Sequence, residues 1–200
     1  MAAIISNIGA RGITKSGSTI SYGTNWTATQ IQVGYYNAST SYAMQLRFRL
    51  DKPCSSIKLV VQGASGSGGT YYCIVSDKEK DAELVSRIFG QGKIDSDIPV
   101  SIGWNGSSYY GEVVIEGSFP ANTDLYIYVH NNNAAQKNLY GLYSSSWYSK
   151  VTEGYELEGA VRIGDGSEFN MHLVNIGNGE SFDMYMPYIG DGTNWTLYSG

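Results

Sequence analysis

Between residues 30 and 130, apolar side chains recur at every second position in short runs separated by turn residues. Alternation of this kind puts one set of side chains on each face of a half-buried strand. It predicts strands over 30–36, 42–50, 56–62, 70–75, 98–103, 109–116 and 125–130, with another near 155–158. Between them, GASGSGG at 63–69 reads as a flexible hairpin loop, and Pro120 with Asn122-Thr123-Asp124 as a turn. Only 78–89, KEKDAELVSRIF, offers a run of good helix formers. Strands in such number without crossover helices predict an all-β fold, a jelly-roll-like antiparallel β-sandwich over residues 17–159. Residues 1–16 read as an N-terminal arm with an edge strand at 3–5.

The pattern changes after residue 160. Three 13-residue units follow one another: VRIGDGSEFNMHL at 161–173, VNIGNGESFDMYM at 174–186 and PYIGDGTNWTLYS at 187–199. Apolar positions flank a Gly-Asx-Gly centre at matching places: Ile163, Ile176 and Ile189 before it, then Phe169, Phe182 and Trp195, then Met171, Met184 and Leu197. Each unit therefore predicts two short strands around a turn that needs positive φ angles, so residues 160–200 form three β-hairpin repeats. About 40 residues without disulfide or metal seldom fold alone. These nine apolar side chains are accordingly candidate assembly or oligomer contacts, against the first domain or a sister chain.

Composition narrows the function classes. Thirteen basic against 18 acidic residues leave a net charge of −5, which argues against nucleic acid or an anionic membrane as partner. No apolar run approaches the roughly 20 residues of a transmembrane helix, and MAAIISNIGARG lacks the basic start and apolar length of a secretory signal. Cys54 and Cys73 are too few for a disulfide framework, and their pattern fits two buried thiols better than a bridge.

Candidate chemistry is sparse. His130 and His172 stand far apart with no Cys, Asp or Glu at ligand spacing, and no nucleophile motif surrounds any serine. The sequence therefore points to no catalytic residue, metal or cofactor. Asp77, Glu79, Asp81 and Glu83 alternate with lysines as a solvated segment does, and Asp165, Asn178 and Asp191 fit turns better than calcium loops. An expected strand over 109–116 places Glu112 and Glu116 on one face, which leaves a glycan hydrolase or depolymerase as a minor reading. Aromatic rings beside amides are the stronger signal: Tyr140, Tyr143, Trp147 and Tyr148 lie in NNNAAQKNLYGLYSSSWYSK, and Trp104 with Asn105 sits at a second turn beside Tyr109 and Tyr110. Flat rings cover sugar C–H faces while amides satisfy hydroxyls, so these residues are candidate glycan contacts. Packing under a loop or at a subunit contact is the plainer alternative. Tyr35-Tyr36, Tyr71-Tyr72 and Tyr109-Tyr110 each put one ring on either face of a strand.

The segment ATQIQVGYYNASTSYAMQLRFRL, the phrase FPANTDLYIYVH and the closing PYIGDGTNWTLYSG resemble virion-associated proteins of tailed bacteriophages of Gram-positive, often gut-dwelling, hosts. The resemblance spans most of residues 22–200 and is strongest in the terminal units. In that group a sandwich similar to carbohydrate-binding modules precedes short aromatic Gly-Asx-Gly repeats, many with Asp-Asn-Gly turns where this chain has Gly-Asp-Gly and Gly-Asn-Gly. It implies a non-enzymatic structural protein of the particle surface, as fibre, tail tip or capsid decoration. Such a protein is assembled in the host cytoplasm with other virion proteins, as a homo-oligomer for which a trimer is one option, and contacts cell-surface glycans. It implies no catalytic residues. A monomeric carbohydrate-binding module is the alternative within the same chemistry.

Overall fold

The computed structural model describes residues 2–37, 39–91, 96–131, 135–142 and 148–155, together with the backbone of 161–164, 169–172, 174–177, 182–185, 188–190 and 195–197. The chain divides into two compact units, Met1–Tyr155 and Glu156–Gly200. The break follows the last residue paired to the first unit's sheet, against the boundary near Gly159 read from the repeats.

The first unit is almost entirely β. Its strands are β1 (Ile5–Ser16), β2 (Thr19–Tyr22), β3 (Gln30–Asn37), β4 (Thr40–Leu50), β5 (Cys54–Gly63) and β6 (Gly69–Ser76). After helix α1 (Ala82–Gln91) come β7 (Ile98–Trp104), β8 (Tyr109–Phe119), β9 (Leu125–His130), β10 (Lys137–Tyr140) and β11 (Lys150–Tyr155). Antiparallel pairing runs β4–β3–β10–β5–β8–β7–β6–β9 and returns to β4, an eight-stranded barrel; β1 adds to β4, β2 to β1, and β11 to β5. Closure leaves few sheet edges exposed to unwanted pairing. In the second unit the backbone forms three separate two-stranded antiparallel pairs: β12 (Val161–Gly164) with β13 (Phe169–His172), β14 (Val174–Gly177) with β15 (Phe182–Tyr185), and β16 (Tyr188–Gly190) with β17 (Trp195–Leu197). The turn residues and all side chains of that unit lie outside the described residues, so the nine proposed contact side chains receive no structural account.

The expected arm is instead a 12-residue strand. β1 pairs with β4 from Ile5↔Leu50 to Ser16↔Thr40, interrupted by one bulge between Asn7 and Gly9. At the bulge the Asn7 carboxamide behaves like a peptide group: Nδ2 donates to the Val151 carbonyl at 2.8 Å, and Oδ1 accepts from the Val151 N–H at 2.9 Å. Alternation did not reveal β1 because its SNIGARG stretch carries few apolar side chains, and its burial comes from neighbours on both sides. The loop at 63–69 is also firmer than its glycines suggest. Ser67 is buried, its hydroxyl donates to the Asn138 carbonyl at 2.7 Å, and its own carbonyl accepts from the Tyr71 hydroxyl at 2.8 Å.

Two apolar clusters flank β9. Inside the barrel, Leu125, Ile127 and Val129 pack with Phe48, Ile57, Leu59, Val61, Val100 and Leu139. On the other side, Tyr126 and Tyr128 lie beneath Leu84, Val85, Ile88 and Phe89 of α1. Burying each such helix side chain contributes about 1.5–3 kcal/mol relative to exposure. The helix begins four residues after the expected start because Asp81 caps it, its Oδ1 accepting the Leu84 N–H at 2.9 Å. Tyr128 ties the segment before the cap, donating its hydroxyl to the Lys78 carbonyl at 2.9 Å, and burial pushes its pKa up to about 12. Cys54 and Cys73 are buried thiols, not a bridge.

One buried cation binds this arrangement together. Arg11 of β1 is 3% exposed. Its guanidinium donates to Gln45 Oε1 at 2.8 Å, to Glu79 Oε1 at 3.0 Å and to the Glu79 carbonyl at 3.0 Å. It also lies 4.2 Å from the Trp26 ring centroid and 5.1 Å from that of Tyr22. Gly9 lets the Trp26 backbone approach β1, since a Cβ there would collide with the Trp26 carbonyl oxygen. Arg11→Ala should destabilise the unit by about 2–4 kcal/mol, because Gln45 and the Glu79 carbonyl lose their charged donor. Urea unfolding measures this, and a loss below that of an ordinary surface substitution would contradict it.

A second clamp is pH-dependent. Asp124 accepts from Arg47 Nε at 2.9 Å and from Arg49 Nη2 at 2.6 Å. Burial pushes its carboxyl up, but the two guanidiniums outweigh that and hold it below the usual carboxylate range. A depressed folded-state pKa adds stability above the unfolded value and loses it as pH falls through the folded one. Wild-type Tm should therefore fall between about pH 5 and pH 2 more steeply than that of Asp124→Asn. Parallel melting curves across that range would contradict the clamp.

Candidate functional site

Among the described residues, the outer face of β5, β8 and β11 brings charged, aromatic and amide side chains together. β5 forms its middle. Burial of Ile57, Leu59 and Val61 inside the barrel turns Lys58, Val60 and Gln62 outward. The register then sets rows across the face: Gln62 beside Tyr110, Val60 between Glu112 and Lys150, Lys58 between Val114 and Glu153, and Ser56 between Glu116 and Tyr155. At ordinary strand spacing the patch is about 20 Å long and 10 Å wide.

Several of its polar groups are paired within the face. The Tyr110 hydroxyl donates to Glu112 Oε2 at 2.6 Å. Lys58 Nζ lies 3.3 Å from the same oxygen and 3.7 Å from Glu153 Oε1. The Tyr110 hydrogen bond, followed by that from Lys58, holds the Glu112 carboxyl below its usual range. The bond to Glu112 conversely raises Lys58 and raises Tyr110. At the upper end, the Tyr148 N–H donates to Gln62 Oε1 at 2.7 Å, and Lys150 Nζ stands 4.3 Å from the Tyr148 ring centroid. Tyr148 is 38% exposed, and Val114 and Tyr155 are exposed beside the charged groups.

The sequence-derived glycan candidates separate into groups. Tyr148 belongs to the outer face, and Tyr140 lies near it, its carbonyl accepting the Ser149 N–H at 3.2 Å. Tyr143 and Trp147 lie outside the described residues. Trp104, 61% exposed, stands at the β7–β8 hairpin tip with its ring 5.5 Å from that of Tyr109. Tyr109 packs toward the barrel interior and Tyr110 toward the outside, so the Trp104 pair and the outer face point in opposite directions. Asn105 serves the turn itself. Its Oδ1 accepts from the Ser107 N–H at 3.0 Å and the Ser108 N–H at 2.8 Å, while Gly106 takes φ +99°. That oxygen is taken up by the turn.

Other chemistry is limited. Glu112 and Glu116 do share the outer face of β8, with their Cα atoms about 13 Å apart along the strand, and the Glu112 carboxylate is already held by Tyr110 and Lys58. His130 is not isolated: its Nε2 lies 3.0 Å from Asp97 Oδ2, both side chains fully buried between β9 and the start of β7. Sequence spacing missed this pair because only the β6–β7–β9 register brings residues 33 apart together. Among the described residues no cluster of three or more His, Cys, Asp or Glu side chains could hold a metal ion, and no helix is long and apolar enough to cross a membrane. A cleft of about 500 Å³ lies between the end of β6, α1 and Phe119-Pro120, but Asp81 on its wall is occupied in capping the helix.

Tyr110→Phe should move the Glu112 pKa back toward its ordinary value, since the strongest donor is gone while Lys58 remains. Carbon-detected NMR titration of the Glu112 carboxyl measures this, and an unchanged midpoint would show that the hydroxyl bond does not form in solution. No protein-family model, curated protein or solved structure matches this sequence.

Proposed function

We propose that this chain is a non-enzymatic surface protein of a phage particle, present in many copies, whose first unit binds glycans weakly and whose C-terminal repeats make assembly contacts. The observation that carries the glycan reading is the outer face of β5, β8 and β11. There the Tyr110 hydroxyl donates to Glu112, Lys58 joins Glu112 to Glu153, and the Tyr148 ring is exposed at one end of the face. A sugar ring presents an apolar C–H face and a rim of hydroxyl donors, so it matches rings flanked by carboxylate acceptors.

On this reading the barrel is a flattened jelly-roll-like sandwich. β7 and β8 share only the pairs Gly103–Tyr110 and Trp104–Tyr109, after which each follows a different sheet. The three hairpin repeats, with Ile163, Phe169, Met171 and their equivalents, serve attachment or oligomer contact. The particle context rests on the sequence resemblance alone. Function then follows from multivalency: contacts of about millimolar strength become effective when many copies are tethered together.

The test displays the full chain on beads and screens it against a glycan panel, alongside light scattering of the chain in solution. At least one neutral glycan should be retained, and Tyr148→Ala and Tyr110→Ala should each weaken retention about tenfold, roughly 1.4 kcal/mol. Absence of any glycan binding, or binding indifferent to both substitutions, would overturn the glycan reading. A stable monomer in solution would replace the assembly reading with that of a monomeric carbohydrate-binding module.

A further inference from the structure

The outer face carries both signs of charge, and the lysine at its centre is already bridged by two carboxylates. Its carboxylates are Glu112, Glu116 and Glu153, and its ammonium groups are Lys58 and Lys150, a net charge of 2 − 3 = −1 on a chain of net −5. The two lysines differ in their partners within the face. Lys58 bridges Glu112 and Glu153 at 3.3 and 3.7 Å, and Lys150 stands 4.3 Å from the Tyr148 ring centroid. Glu112 is itself committed through one oxygen, Oε2, which receives both Tyr110 and Lys58. A carboxylate, phosphate or sulfate arriving at this face meets acceptors of its own sign, and to pair with Lys58 it must displace Glu112 or Glu153. A hydroxyl arriving at the same place meets acceptors it can donate to directly.

We infer that the outer face of β5, β8 and β11 takes neutral glycans and excludes anionic ones, with Glu112 and Glu153 setting this choice by occupying Lys58. The inference rests on the glycan reading above and adds the class of glycan. Like-charge exclusion is a device of specificity rather than of affinity. It is screened over about 8 Å at physiological ionic strength, so it acts most strongly in low salt.

The experiment compares chemically matched polymers on the bead-displayed full chain. Methyl-esterified galacturonan is set against polygalacturonate, and dextran against dextran sulfate, in low and in high salt. The neutral member of at least one pair should be retained at least tenfold better than its anionic partner in low salt, with the gap narrowing in high salt. Glu112→Gln combined with Glu153→Gln releases Lys58 and should raise retention of the anionic polymers until the gap is under about threefold, whereas Lys58→Met should leave it wide. Circular dichroism of each variant confirms that the sheet is retained. Equal or stronger retention of the anionic polymers by wild type, with neutral glycans still bound, overturns the selectivity and leaves the glycan reading standing. Failure of every neutral glycan, here and in the panel, removes the glycan reading and the selectivity with it.

Discussion

A guanidinium withdrawn from water must find a partner for each of its donors, and in this protein that requirement organises the N-terminal half of the barrel. Arg11 sits on β1, takes Gln45 from β4, packs on Trp26 and Tyr22, and is closed by the Glu79 carboxylate and carbonyl. The Glu79 contact has the widest reach. It holds the segment between β6 and Asp81, which positions the cap and hence the line along which α1 lies over β9. A stretch of chain with almost no apolar character is thereby made part of the core assembly. Buried charge is usually a poor source of stability in itself, but here the same group fixes where three elements meet.

How much of this could be read from residues alone depends on where the information resides. The strands at 30–36, 42–50, 56–62 and 125–130 were legible because alternation is a local property, and the observed elements differ from those spans by a few residues at most. β9 shows the limit. In LYIYVH the apolar residues and the tyrosines alternate as though one face met water, yet both faces are buried because α1 covers the tyrosine side. β1 was not legible as a strand, since its pairing depends on β4 and on the Asn7 carboxamide meeting Val151, 144 residues away. All-β character was thus visible in the pattern, whereas barrel closure was not, because closure is a matter of which edges find each other.

The candidate surface divides in the same way. Tyr148 was singled out for its aromatic neighbourhood, and Glu112 for sharing a strand face with Glu116, but these readings belonged to separate hypotheses. Register unites them: Gln62 touches both Tyr148 and the Tyr110 row, and Lys58 joins Glu112 to Glu153. The parity of β5 and β8 already placed these side chains outward. What no local pattern contains is that β5 lies between β8 and β11. Asn105 makes a related point, because its side-chain oxygen also shapes its own turn.

The pairing of Ala2 with Tyr155, reinforced by the Ala3 N–H donating to the Gly154 carbonyl at 2.9 Å, brings the two ends of the first unit side by side. A body whose incoming and outgoing strands are neighbours is, mechanically, a bud on a stem. It can be transplanted into a surface turn of a host protein without stretching that host, and tension applied across its two ends would unzip the stem one hydrogen bond at a time rather than shear the barrel.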